Sequence, residues 1–293
     1  MYNITKYFEA HSVREAIELL QANPKARLIA GGSDLLIKMH QGKIEAAELI
    51  SIHNLSEISG ISLEPDGTIV IGAGTTFSKI ANHPVIKKNV PVLAEAVETI
   101  GGPQVRNVGT IGGNICNGST SSDTAPTLFA LNARLRIQGA SGTRVIEITD
   151  FYQGPGQVDL QHDEILTAVL LSPDNYKGFA GHYIKYSMRK AMDIATLGCA
   201  VVCKITEQAV IEDFRLAFGV AAPTPVRCRK TETMVKGKTF NEELLQEVVK
   251  SAVAEVNPRT SWRASREFRL HLVEELSKRA FKQAFIKTGG KLQ

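Results

Sequence analysis

The chain has 293 residues, 43% of them hydrophobic, enough to bury a sizeable core in one large domain or in two to three smaller ones. Its 34 basic and 30 acidic residues leave a formal charge of +4, and the basic ones are spread along the chain, which argues against a nucleic-acid binder. No run of 18 apolar residues occurs and the start MYNITKYFEAHS lacks the basic and apolar parts of an export signal, so no membrane span and a cytoplasmic location are expected.

In chain order, a short extended lead is followed by a helix. Ser12 and Glu15 form a capping-box pair, with Val13, Ala16, Ile17 and Leu20 at helical spacing behind them. Pro24 stops that helix, and the apolar run 26–30 delivers the chain to Ala30-Gly31-Gly32-Ser33-Asp34, after which residues 35–40 read as a helix. Strand, glycine turn and helix start is an arrangement that suits phosphate, although a Gly-Gly pair alone is more often a plain tight turn. Residues 47–52 form a short strand, and 58–63 with 69–73 flank Pro65-Asp66-Gly67 as a hairpin. The first 60 residues therefore make a small α+β unit.

Thr75 to Ser78 precede a short helix, and Pro91 opens a longer one to Ile100, with Leu93, Ala94 and Val97 on one face. That helix feeds the stretch around which the chain is organised, GGPQVRNVGTIGGNICNGSTSSDTAP at 101–126. Its 26 residues include six glycines, three asparagines and six Ser or Thr, so it has little apolar face to bury. Glycine admits positive φ and lets backbone N–H groups converge on an anion, while hydroxyls and amides add donors. Thr110-Ile111-Gly112-Gly113-Asn114 is expected to be the floor of such a site. Asp123, three residues before Pro126, falls where a helix over 124–132 begins.

Beyond it, 135–137 pairs with 145–148 across Ala140-Ser141-Gly142, and a strand at 165–171 closes the second unit. From Gly181 the pattern changes to strand-like runs at 182–189, 199–205 and 214–219, a three-stranded antiparallel sheet. Helices at 241–255 and 266–285 follow, the second with Phe268, Leu272, Leu276, Ala280 and Ala284 at four-residue steps. The cluster Pro173-Asp174-Asn175 marks a boundary, dividing the chain into 1–176, with subdomains of about 1–60 and 61–176, and 177–293. The fold class is α+β.

No Ser-His-Asp set, HExxH motif or paired carboxylates emerge, and the four cysteines lack CxxC spacing, so neither hydrolytic chemistry nor a metal or iron–sulfur site is expected in this chain. Gly72-Ala73-Gly74 lacks the third glycine of the usual dinucleotide fingerprint.

The loops AGGSD and TIGGNICNGSTSSDTAP, in that order and 80 residues apart, resemble those of the FAD-binding subunits of molybdenum hydroxylases, most closely the bacterial xanthine dehydrogenase type. The likeness continues in Lys185-Tyr186-Ser187-Met188-Arg189, in Asp193-Ile194-Ala195, in the run from Phe218 to Arg227 and in Trp262-Arg263-Ala264-Ser265. It implies two α+β subdomains clasping FAD in the PCMH-type manner, with the C-terminal sheet and helices covering the ring. It also implies an iron–sulfur subunit and a molybdopterin-binding subunit as partners, a purine as the substrate of the latter, and NAD as acceptor.

The resemblance assigns Ala30, Gly31, Gly32, Ser33, Asp34, Leu35, Thr110, Ile111, Gly112, Gly113, Asn114, Ser119 and Asp123 to the cofactor, and places the ring slot near Ile194 and Lys230. Local chemistry qualifies several of these. A carboxylate is repelled by a diphosphate, so Asp34 reads as a helix cap, and the expected donors are the N–H groups of Gly31, Gly32 and Ser33 with the Ser33 hydroxyl. Asp123 alone is an ordinary N-cap, and the resemblance makes it a partner of a ribose or ribityl hydroxyl. Leu35 suits cofactor packing and core equally; Lys230 suits a solvated surface, Ile194 a core, and Arg189 and Arg227 structural ion pairs. Two other function classes stay open, a self-contained flavin oxidase or reductase and a nucleotide-binding scaffold subunit without a redox role.

Overall fold

The structure is a computed structural model and describes residues 2–292. The first unit is a three-stranded parallel sheet in the order β1-β3-β2, built from β1 (Ile4–Glu9), α1 (Val13–Ala22), β2 (Arg27–Ile29), α2 (Leu35–His40) and β3 (Ala47–Ser51). Ser12 caps α1 by accepting the Glu15 N–H at 3.0 Å, and Val13, Ala16, Ile17 and Leu20 are its buried face, as the sequence predicts. Glu15 returns its carboxylate to the N–H of His11, one residue earlier than the capping-box position.

The second unit is a five-stranded antiparallel sheet in the order β4-β5-β10-β6-β7. After β4 (Ile61–Leu63) and β5 (Ile69–Gly72) the chain runs through six short helices: α3 (Phe77–Asn82), α4 (Pro84–Asn89), α5 (Pro91–Glu98), α6 (Pro103–Val108), α7 (Ile111–Cys116) and α8 (Ala125–Ala130). It returns in β6 (Arg134–Gly139) and β7 (Gly142–Glu147), passes α9 (Ile148–Phe151), β8 (Tyr152–Gly154) and β9 (Gln157–Val158), and ends in β10 (Ile165–Leu171). Every residue of β10 is buried, because it is the central strand and helices or the first unit cover both faces.

The third unit is a sheet of β11 (Ala180–Tyr186), β12 (Leu197–Ile205), β13 (Ile211–Gly219) and β14 (Val226–Arg227), followed by α10 (Arg229–Val235), α11 (Glu242–Glu255) and α12 (Arg266–Lys287). The three long antiparallel strands are those expected, and β14 adds a two-residue edge. Alternation along β12 explains how this unit is held. Leu197, Cys199, Val201 and Cys203 face the core shared with α11 and α12, whereas Ala200 and Val202 join the core of the second unit.

Phe268, expected in the buried series of α12, is 40% exposed and stands edge-on to Tyr186. Its neighbour Arg269 takes the inner place. Buried Arg269 donates to the carbonyls of Thr196 and Arg259 and to the Ser261 hydroxyl, so it fixes the irregular segment before the helix by satisfying backbone oxygens. No helix among the described residues is long and apolar enough to cross a membrane.

Candidate functional site

Strand β2 carries the chain to the first glycine loop, and Gly31 there lies against the peptide of Val108 at the end of α6. A Cβ added to Gly31 would sit 1.9 Å from the Val108 carbonyl oxygen, so only glycine lets the two backbones meet. Gly32 has φ of +69°, the left-handed conformation that turns the chain into α2. Among the described residues, the N–H groups of Gly31, Gly32, Ser33 and Asp34 and the Ser33 hydroxyl donate to no other protein group. Asp34 occupies the N-cap position of α2, but its side chain makes no cap hydrogen bond. The preceding glycine turn orients the helix start without it.

The second glycine-rich stretch is largely helical. It folds into α6, with Pro103 in its first turn, and α7, capped by Thr110, whose hydroxyl accepts the Gly113 N–H at 3.1 Å. Its amides are already used: Ile111 donates to the Thr75 carbonyl, Gly112 to Ala73 at 2.8 Å and Asn114 to Thr110. Gly112 is buried where a Cβ would lie 2.7 Å from that of Ala73, while Gly113 is exposed and would meet only the Thr110 hydroxyl, at 3.1 Å. Thus one glycine permits packing on Ala73, just past β5, and the next leaves an open face.

These elements enclose one cavity of about 460 Å³. Ala30, Gly31, Gly32, Ser33, Asp34 and Leu35 line one side, and Thr110, Gly112, Gly113 and Asn114 the other. Lys38 spans the two sides by donating to Asn117 at 2.8 Å. Leu28, Ile52, Ile58 and Leu166 give the cavity an apolar end. The Asn114 side-chain oxygen Oδ1 accepts hydrogen bonds from Ser122 at 2.5 Å and Thr124 at 2.6 Å, which fixes the side-chain amide at the cavity wall. Burial pushes the Cys116 thiol up to about 12, so it lines the cavity as a neutral group.

The remaining sequence candidates lie outside this lining. Ile111 is buried in the core and Ser119 bonds to Ser121 at 2.9 Å. Ile194 is half exposed between β11 and β12, and Lys230 is an exposed residue of the first turn of α10 whose N–H donates to Glu255. Arg227 is buried in a two-pronged ion pair with Glu232, at 2.5 and 2.7 Å.

Asp123 is not the cap of α8; Thr124 holds that position, without a side-chain cap bond. The carboxylate turns to the third unit, accepting from Lys185 Nζ at 2.8 Å and from the Tyr183 hydroxyl at 2.9 Å. The Asp123 and Lys185 side chains are only 9% and 7% exposed. Burial pushes the Asp123 carboxyl up from its ordinary value, and Lys185 and Tyr183 oppose that shift. From the sequence, Lys185 entered only as part of the motif that carries the resemblance, with no role given, and Tyr183 was not singled out. The signal was present, since period-two alternation puts both on one face of a strand otherwise rich in apolar and aromatic residues.

A diphosphate needs convergent donors, close backbone approach and no opposing side chain. The unpartnered amides at 31–34, the glycine at the Val108 contact and the open face of Gly113 fit those needs.

Comparison with known proteins gives the same picture. Residues 2–172 match the family described as FAD binding domain in molybdopterin dehydrogenase, and residues 182–284 match the CO dehydrogenase flavoprotein C-terminal domain. The chain is 43% identical over 293 residues to the xanthine dehydrogenase FAD-binding subunit of Escherichia coli O157:H7, covering 100% of both chains. It is 33% identical to the glyceraldehyde dehydrogenase medium chain of Sulfolobus acidocaldarius, covering 94% of this chain and 97% of that one. In structure it superposes on carbon monoxide dehydrogenase from Hydrogenophaga pseudoflava with a TM-score of 0.92 and 31% identity, covering 98% of this chain and 99% of that one.

Proposed function

Because the chain belongs to the FAD-binding subunits of the molybdenum hydroxylases, we propose that it is the flavin module of a xanthine dehydrogenase-like complex that passes electrons to NAD. FAD binding itself comes with the family. The observation that carries the finer reading is the 43% identity over the whole length to a xanthine dehydrogenase subunit. In this reading an iron–sulfur subunit delivers electrons taken from a purine by a molybdopterin-binding subunit, and the complex works in the cytoplasm.

When bound, FAD supplies the conversion between single-electron transfer and hydride transfer. The chain's own part is binding and orientation. The N–H groups of Gly31, Gly32 and Ser33 with the Ser33 hydroxyl would hold the diphosphate, and the open face of Gly113 would let it approach α7. Asn114, fixed by Ser122 and Thr124, would present its NH2 group at the same wall. Asp123, with Lys185 and Tyr183, would set the seam between the second and third units beside the cofactor. Ala30, Asp34, Leu35 and Thr110 complete the lining, and Ile194 and Lys230 stay outside the cavity.

The test is anaerobic addition of NADH to the FAD-loaded chain. Bleaching of the visible flavin band by NADH supports NAD as acceptor. A band that dithionite bleaches but NADH leaves unchanged excludes it. Copurification with iron–sulfur and molybdenum subunits tests the assembly separately.

A further inference from the structure

A second, smaller concavity of about 200 Å³ is bounded by Asn132 of the second unit and, in the third, by Asp213 to Arg215 on β13, Arg227 on β14, and α10 with its C-cap. Four cations meet there: Arg215, Arg227, Arg229 and Lys236. Only two carboxylates answer them. Asp213 is engaged by Arg215 at 2.9 Å, and Glu232 accepts from Nε and Nη2 of Arg227 and from the Leu216 N–H. Arg215 and Arg227 are buried and further tied to carbonyls and amide oxygens, Arg215 to Asn175 and Arg227 to Phe129 and Asn132.

Arg229 and Lys236 differ. Among the described residues the Arg229 guanidinium pairs only with Glu232, at 3.6 Å and already shared, and the Lys236 ammonium has no hydrogen-bond or ion-pair partner. Arg229 opens α10 and Lys236 is its C-cap residue, seven positions on, with Thr233 between them at the same wall. Burial, with the neighbouring Arg227 charge, pulls the Arg229 value down from its ordinary position, as expected where positive charge is in excess.

We infer that this concavity is an oxyanion site for a phosphate-class ligand, held by Arg229 and Lys236 over the buried Arg215 and Arg227. The excess of two positive charges matches a phosphate, which carries about −1.5 to −2 at neutral pH. Arginine's planar fork suits its oxygens, and lysine adds a point charge. The ligand is either free phosphate or the phosphoryl group of a small ester. The site is separate from the cavity between the glycine loops, with which it shares no lining residue.

The test uses the FAD-saturated chain, so that the glycine loops are occupied. Thermal unfolding is followed in phosphate and in chloride at equal ionic strength, and calorimetry measures inorganic phosphate and glycerol 3-phosphate binding. Phosphate should raise the unfolding temperature above the chloride value and bind once per chain. The double variant Arg229→Gln, Lys236→Gln should weaken binding at least tenfold and lose the increment, with no loss of stability in chloride, because it relieves repulsion. Tighter binding of one probe identifies free ion or ester. Equal unfolding in both salts, no calorimetric binding to the parent, or undiminished binding by the variant overturns the proposal.

Discussion

The two glycine loops look alike in sequence and do different work in the fold. At 31–34 the glycines free the backbone: Gly32 takes a left-handed turn, Gly31 meets the Val108 peptide, and the N–H groups are left without protein partners. At 111–114 the glycines let a capped helix pack on Ala73, just past β5, and the N–H groups are spent on Thr75, Ala73 and Thr110. A Gly-Gly pair therefore signals close approach, and only the hydrogen-bond inventory says whether a ligand or the protein makes it.

This contrast can be broken by substitution. The largest effect is expected at the anchor of the second loop. Lys185→Met leaves the Asp123 charge buried with only Tyr183 to satisfy it, and breaking a buried pair in this way costs roughly 3–5 kcal/mol. Urea unfolding of the flavin-free chain measures it. A cost near zero would mean that the second loop is not held through Asp123.

Next is Gly31→Ala. Its Cβ would overlap the Val108 carbonyl, so the loops must part, and FAD affinity should fall about a hundredfold, roughly 2.7 kcal/mol. Fluorescence titration with FAD reads this directly, and unchanged affinity would show that the contact is not part of the cradle. Gly112→Ala should act on the other quantity. Overpacking against Ala73 costs roughly 1–3 kcal/mol of stability, seen in thermal unfolding without FAD.

The smallest change is the most discriminating. Gly113→Ala adds a methyl to the open face of α7 and replaces a glycine in a helix, which favours the helix by roughly 0.5–1 kcal/mol. The flavin-free chain should be no less stable than the parent, while FAD affinity falls about tenfold, roughly 1.4 kcal/mol. Loss of stability with full affinity would reverse the roles given to Gly112 and Gly113.

Much of the fold was legible in sequence because its signals are local. The capping pair at Ser12, the alternation in β11 to β13 and the bounds of β10 needed no tertiary information. What was hidden depends on distant partners. Helix α7 contains two glycines and has low intrinsic propensity, yet packing on Ala73 and the Thr110 cap form it. Asp34, read as a cap, holds the N-cap position of α2 without a side-chain cap bond, and Asp123, a cap by local chemistry and a cofactor partner by the resemblance, is not the N-cap of α8. Asp123 instead meets Lys185, 62 residues on; alternation along the strand places Lys185 on a face, but the pairing between the two is not a local pattern. Arg269 similarly displaces Phe268 from the inner face of α12 because unpaired carbonyls outweigh an apolar period. The cavity's first wall was read from AGGSD, whereas the role of Val108 in closing it was not.

Amide hydrogen exchange, compared between the FAD-depleted and FAD-loaded chain, tests the division of labour between the loops most directly. Residues 31–34 should exchange fast without FAD and slow markedly when it binds, because their N–H groups then gain acceptors. Residues 111–114 should already be protected without FAD and change little. Protection gained at 111–114 while 31–34 remain fast would contradict the assignment of the diphosphate to the first loop.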